Sequence, residues 1–255
     1  MSPRWPLSLA LWLALGGLAC VPELEPIRWE AIDIEALRDA VASPTGIVDE
    51  QSTQEIADSL VRDNDAYQVL AQYIRAVFSA TASPDGPGPR WLIPQALGGT
   101  SIYALVACPG TELDGGEFSF ANGFMQIDSP TLTAELVSSF EVSGDLLLSF
   151  VGCRIGELVF DGGAPAHYVS DPIEIGVIPR DLRYELLGSD EPYTIEQPLL
   201  WSESDQLSLL FTLDSGETLA LDWQGDGDEL DAELRGANGS LICSLLESGL
   251  SCVPP

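Results

Sequence analysis

The chain predicts a mainly β protein with an N-terminal helical segment, its strands running as an antiparallel β-meander that forms a curved sheet, half-barrel or sandwich. Three observations carry this. Apolar residues recur at helical spacing only between Asp33 and about Ala80. A run dense in proline and glycine, Ser83-Pro-Asp-Gly-Pro-Gly-Pro89, then breaks the pattern. Beyond Arg90 the apolar period becomes two, with turn signals about every 10–12 residues. One greasy and one wet face per strand imply an antiparallel sheet with solvent on one side. A sheet of about ten strands must curl, close or fold onto itself.

The first element is a leader. Arg4 gives a basic start, LSLALWLALGG follows, and Leu18-Ala19 precede Cys20. That order predicts a signal peptide over residues 1–19. The apolar run is too short and too interrupted for a transmembrane helix. The junction Gly17-Leu18-Ala19-Cys20 resembles the lipobox of bacterial lipoproteins. Only Ala19, at the position before the cysteine, fits that pattern well, and Gly17 with Ala19 also suits an ordinary secretory cut. The resemblance implies a diacylglycerol on the Cys20 thiol, a mature chain beginning there, and a lipid anchor in the cell envelope. Val21, where aspartate signals retention in enteric bacteria, implies the outer membrane. Residues 20–28, with Pro22 and Pro26, read as a tether.

Cysteine arithmetic bears on the same point. Five cysteines leave one odd. Setting Cys20 aside leaves Cys108, Cys153, Cys243 and Cys252, an even set for an oxidising compartment. Four cysteines allow three pairings. The Ser248-Gly249 turn favours Cys243 with Cys252, and Cys108 with Cys153 then follows.

Residues 29–82 read as a segment of about three helices. Ile34, Leu37 and Val41 share a face behind Asp33 as cap. Ser52-x-x-Glu55 matches a capping box ahead of Ile56 and Leu60. A third start follows Asp65, with Tyr67, Leu70, Ala71, Ile74, Val77 and Phe78 on one stripe. Residues 83–90 are the linker and 91–255 the antiparallel β domain. There the alternating runs are Ile102 to Ala107, Phe118/Phe120, Leu146/Leu148/Phe150, Leu158/Phe160 and Ile173/Ile175/Val177. They continue with Leu207 to Leu213, Leu219/Leu221/Trp223 and Leu230/Ala232/Leu234. Turns are expected at Asp214-Ser-Gly216, Gly225-Asp-Gly227, Asn238-Gly239 and Ser248-Gly249. Gly115-Gly116 and Gly162-Gly163 also read as turns.

Cys108-Pro-Gly110, Phe150-Val-Gly-Cys153 and Leu158-Val-Phe-Asp161-Gly162 together resemble an arrangement in uncharacterised β-rich proteins of bacterial envelopes. It spans about 55 residues, and implies a disulfide-pinned meander without a known activity. On the residues alone, Cys108 and Cys153 each end an apolar strand, and a bridge between them pins register.

The chemistry is read mostly by exclusion. There is no lysine, so Schiff-base catalysis, a Ser-Lys dyad and a P-loop are ruled out. The single histidine, His167, excludes histidine-rich zinc sites, and no G-x-S-x-G elbow accompanies it. His167 reads as a strand-edge surface residue. The formal net charge of −30 repels nucleic acid and anionic lipid head groups, and suits a basic partner or divalent cations. Asp222, Asp226, Asp228 and Asp231 are the metal candidates. An EF-type loop from Asp226 fails, because Leu230 and Asp231 fall where an acid and a glycine are required. Sugar binding through Trp201 or Trp223 is conceivable, though Trp223 lies on the apolar face of its strand. No cofactor is implied.

Three function classes follow. The leading one is a membrane-anchored envelope lipoprotein, non-catalytic, serving as a structural or interaction module. The second is a carrier or chaperone of apolar ligands, which requires an apolar cavity lined by residues such as Phe118, Phe120, Phe150 and Phe211. The third is a carboxylate-based hydrolase with two acids facing each other across a cleft.

Overall fold

The computed structural model describes residues 32–80, 91–92, 102–110, 118–129, 143–170, 173–189, 191–202, 206–224, 231–246 and 249–253. The leader, Cys20, the tether and the linker lie outside these residues, as do Asp226, Asp228 and the Gly115-Gly116 and Gly225-Asp-Gly227 turns.

Among the described residues two helices precede the strands: α1, Ile34–Ala42, and α2, Glu50–Ala80. The strands are β1 Trp91–Leu92, β2 Ile102–Cys108, β3 Ser119–Ser129, β4 Ser143–Ile155, β5 Leu158–Ser170, β6 Ile173–Val177 and β7 Arg183–Leu186. They continue as β8 Tyr193–Thr194, β9 Leu199–Ser202, β10 Gln206–Thr212, β11 Thr218–Gln224, β12 Asp231–Gly236, β13 Gly239–Leu246 and β14 Gly249–Val253. All belong to one antiparallel, open, curved sheet, in the order β1-β2-β3-β4-β5-β6-β9-β10-β11-β12-β13-β14. The long strand β5 forks. Leu158–Asp161 pairs with β7, which carries β8, while Ala166–Ser170 pairs with β6.

Local sequence explains the helix ends. Asp33 Oδ1 accepts the Ala36 N–H at 2.9 Å, so it caps α1 as expected. The second cap sits three residues earlier than Ser52. Asp49 Oδ1 accepts the Ser52 N–H at 2.8 Å, and Ser52 Oγ accepts the Asp49 N–H at 3.0 Å, a reciprocal box with Asp49 as the cap. Glu55 Oε1 instead accepts the Asp214 N–H at 3.2 Å, tying the helix to the β10–β11 turn. The expected starts at Ser52 and after Asp65 both fall inside one helix. Its buried stripe steps by three or four residues without a break through Ser52, Ile56, Leu60, Asp63, Tyr67, Leu70, Ile74 and Val77. At 1.5 Å per residue, α2 is about 46 Å long.

The two helices lie on opposite faces of the sheet. The main core joins α2 to one face through Val106, Met125, Leu148, Phe150, Phe160, Ile175, Leu209 and Leu221. A smaller cluster joins Ile34, Leu37 and Val41 of α1 to Leu200, Leu210 and Ala220 on the other face. Neighbouring residues thus alternate between helices along β9, β10 and β11, because side chains in a strand alternate sides. This corrects the expectation of solvent on one side: under α1 both faces are covered. Gly176 shows how close that packing is, since a Cβ there would meet Ile34 Cδ1 at 2.2 Å. Between the helices the chain wraps the hairpin ends. Gly46 N–H donates to Thr218 O at 2.8 Å, and Ala237 N–H donates to Gly46 O at 2.7 Å.

Gly162-Gly163 is not a turn. It lies inside β5, opposite an irregularity between Phe150 and Cys153, with Gly162 at φ +101°. A Cβ there would stand 1.9 Å from the Asp181 carbonyl oxygen, so the strand bends against the chain that follows β6 only because that position is glycine. The actual β4–β5 turn is Gly156-Glu157.

Candidate functional site

Both expected disulfides are present. Cys108 is joined to Cys153 with Cα atoms 5.5 Å apart, and Cys243 to Cys252 with Cα atoms 4.0 Å apart. Cys243 and Cys252 stand directly opposite each other on β13 and β14. Cys108 and Cys153 sit on β2 and β4, which are not neighbours. The bridge forms where β3 bulges away between Ala107 and Cys108, and Gly110 then bonds directly to the chain around Ile155. Cys108 ends its strand as expected, whereas β4 continues two residues past Cys153.

The remaining candidates separate. Asp222 is buried on the α1 face, where its carboxylate accepts hydrogen bonds from Ser208 Oγ and Arg235 Nε, both at 2.5 Å. It is committed to an ion pair, and Arg235 also reaches the Ala42 carbonyl at the end of α1. Asp231 opens β12, and Asp226 and Asp228 lie outside the described residues. His167 is not at a sheet edge. It lies within β5 between β4 and β6, with Nδ1 2.8 Å from Asp145 Oδ1 on the neighbouring strand. Trp201 and Trp223 are both buried, which removes them as exposed sugar platforms; the Arg75 guanidinium lies 5.9 Å from the Trp201 ring centroid.

The four phenylalanines of the carrier expectation belong to the main core. Phe118, Phe150 and Phe211 are buried and Phe120 packs against them. Tyr67 and Tyr73 of α2 are fully buried in the same core. The Tyr73 hydroxyl donates to Ala107 O at 3.3 Å, and burial pushes its ionisation far upward. Tyr67 Oη accepts the Glu196 and Gln197 N–H groups at 3.3 and 3.0 Å. Burial raises the Tyr67 pKa to about 12, so it remains a neutral phenol.

One concavity combines walls from separate elements. It is a groove of about 460 Å³ between the middle of α2, the β4–β5 turn and the β7–β8 branch. Ile155, Leu158, Tyr184 and Tyr193 supply apolar and aromatic surface; Gln68 and Gln72 line the α2 side; Asp65 and Glu157 add carboxylates. The tyrosine rings stack with centroids 5.3 Å apart, and Tyr184 Oη donates to the buried Asp63 carboxylate at 2.7 Å. That bond fixes the aromatic floor from below. At the end of β7, Leu186 and Leu187 are 46% and 55% exposed. A second depression, of about 550 Å³, is lined by Asp49 and the first turns of α2 alone.

None of the groove residues was singled out from the sequence as a site residue; Leu158 was read only as a strand position and Asp65 only as preceding a helix start. Among those that went unread, the one local signal is Leu186, a large apolar residue placed just before the Gly188-Ser189 turn signal. The alternation of Arg183-Tyr-Glu-Leu186 is only four residues long, too short to register as a strand.

No protein-family model, curated protein or solved structure matches this chain.

Proposed function

We propose that this chain is an envelope lipoprotein held to the membrane through an acylated Cys20, and that its β domain acts as a non-catalytic interaction module. The observation that carries the reading is the cysteine pairing. Two disulfides use Cys108, Cys153, Cys243 and Cys252, so Cys20 is the odd cysteine and it stands at the end of a leader-like segment. Paired cysteines belong to oxidising compartments, in keeping with export. The groove supports the second half, since most of its lining is aromatic, aliphatic and amide surface. The −30 charge disfavours nucleic acid and favours a basic partner.

Mass spectrometry of the N-terminal peptide from the native source tests the anchor. The expected result is a diacylglyceryl adduct on Cys20. An unmodified Cys20 thiol on protein released to the medium overturns it.

A further inference from the structure

We propose that Cys243–Cys252 is a thiol-exchange site, opened by a dithiol reductant that attacks at Cys252 and thereby loosens β14 from the sheet. This goes beyond the reading of the domain as an interaction module, and it is independent of whether Cys20 is acylated.

The two disulfides differ in what an incoming thiolate can reach. Cys108 and Cys153 are both fully buried, and Tyr73 Oη of α2 lies 3.6 Å from Cys108 Sγ. That bond is reached only if α2 lifts from the sheet. Cys243 is buried too, but Cys252 is partly exposed. β14 is five residues long, and among the described residues it pairs on one side only, with β13. One face of this strand rests against α2. On the other, Ile242 and Val253 stand opposite each other at 38% and 58% exposure. A short edge strand packed on one face belongs to the low-stability end of a structure, where local opening precedes global unfolding. The placing of the cysteines adds to this. They are directly opposite, with Cα atoms 4.0 Å apart, closer than the span of about 4.4–6.8 Å usual for disulfides, and departures from that span make a bond more reducible. Charge permits approach as well. From Gly239 to Val253 the hairpin carries one charged residue, Glu247, in a chain of net charge −30, so the hairpin itself repels a thiolate little. The exchange balances with the dithiol alone. One thiolate of the reductant attacks Cys252 Sγ, the Cys243–Cys252 bond breaks, and Cys243 leaves with the electron pair. The second thiol then attacks the mixed disulfide. The reductant ends as a disulfide, its two protons end on Cys243 and Cys252, and two electrons have moved to this chain. A thiolate is disfavoured in the apolar core, so Cys243 departs only as β14 peels away, whereas the neutral thiol that results suits the core. Reduction and loosening of β14 are therefore one event, and it uncovers the backbone edge of β13. The competing reading is a purely structural staple, which opens only when the whole domain unfolds.

The test uses the full mature chain, folded and oxidised, in mild detergent. One probe is dithiothreitol, with samples quenched by N-ethylmaleimide and mapped by mass spectrometry. The other is a thioredoxin-type reductant whose second active-site cysteine is replaced by serine, so that the reaction stops at the mixed disulfide. Cys243 and Cys252 should be labelled about tenfold or more faster than Cys108 and Cys153, and the trapped adduct should sit on Cys252. Hydrogen exchange of the protein reduced at that pair should accelerate in β13 and β14 and stay unchanged in β2 to β5. The double variant Cys243→Ala, Cys252→Ala should reproduce that exchange pattern and trap no adduct; the labelling of the unaltered chain decides the matter even where this variant folds poorly. Opening of Cys108–Cys153 as fast as Cys243–Cys252 overturns the proposal. So does opening of both pairs together at the global unfolding rate, an adduct on Cys243 or none at all, or a reduced pair that leaves exchange in β13 and β14 unchanged.

Discussion

The two faces of the sheet are closed by helices in very different ways. On the α2 face a 31-residue helix meets large, fully buried side chains, Tyr67, Tyr73, Phe150 and Phe160 among them, over strands from β2 to β13. On the α1 face a nine-residue helix contributes three apolar side chains over β9 to β11. Polar groups support it there. Arg38 pairs with Glu174 of β6, and Arg235 links the buried Asp222 to the last carbonyl of α1. Stability therefore resides on the α2 face, where burial of each large side chain contributes roughly 1.5–3 kcal/mol. The α1 face is a clasp, able to loosen without dismantling the core.

The most direct way to break this comparison is to truncate one side chain on each face. Phe150→Ala removes a ring packed 6.4 Å from Tyr73 and 6.1 Å from Phe160, and should cost about 3–5 kcal/mol in urea unfolding. Leu37→Ala should cost about 2 kcal/mol, the low end for its type, because α1 can settle onto the sheet. Hydrogen exchange should show the first change spread over the whole sheet and the second confined to α1. Equal, global losses would show that the clasp is part of the core.

Both disulfides belong to the core on the α2 face and differ in the loop they close. Cys108–Cys153 closes a 45-residue separation; Cys243–Cys252 closes one of nine at the end of the sheet. On loop entropy, replacing the first pair by alanines should cost about 4 kcal/mol and the second about 2.5 kcal/mol. Thermal melts of the two double variants decide it. A larger loss from the second pair would mean that holding β14 matters more than closing the long loop.

On the α1 face, Asp222→Ala should cost about 2 kcal/mol, less than a fully buried ion pair, because the partly exposed Arg235 can turn to water. The measurement is amide exchange in α1, which should accelerate there first. A double-mutant cycle with Arg235→Ala then separates the pair from its surroundings.

These asymmetries were unevenly legible in the sequence. The meander could be read because Leu207 to Leu213 and Leu219 to Trp223 alternate cleanly and Asp214-Ser-Gly216 separates them. The cap at Asp33 and the Cys243–Cys252 pair could be read for the same local reasons, and Cys108–Cys153 followed as the remaining pair. What escaped was whatever depends on which surface finds a partner. Leu200, Leu210 and Ala220 look like ordinary interruptions of a two-residue period, and only the arrival of α1 makes them a second core. Asp222 looks like one more carboxylate in an acidic run until Arg235 is placed beside it by the pairing of β11 with β12. The groove has no sequence period at all, because α2, β4–β5 and β7–β8 meet there from three distant stretches of chain.

The smallest expected effect concerns pH and two aspartates with opposite shifts. Asp49, in the strap leading from α1 to α2, accepts the Ser52 N–H, and that bond holds its carboxyl below the ordinary value. Its stabilisation is present above the unfolded pKa of about 3.9 and is lost as the pH falls through the lower folded value. Asp128 on β3 is half-buried; desolvation raises its pKa, and the bond from Gln126 only partly offsets this. Its folded form binds the proton more tightly than the unfolded one, so it favours folding at low pH and loses that contribution as the pH rises through the raised value. Acidification from neutrality should thus first relieve β3 and only later fray the start of α2. Carboxyl-carbon NMR titration reads each aspartate separately, and amide exchange reads the two segments. Asp128→Asn should remove the first event, and Asp49→Asn, which still caps a helix, should remove the second. An Asp49 carboxyl titrating at or above the ordinary aspartate value would show that the reciprocal bonds with Ser52 do not hold the strap.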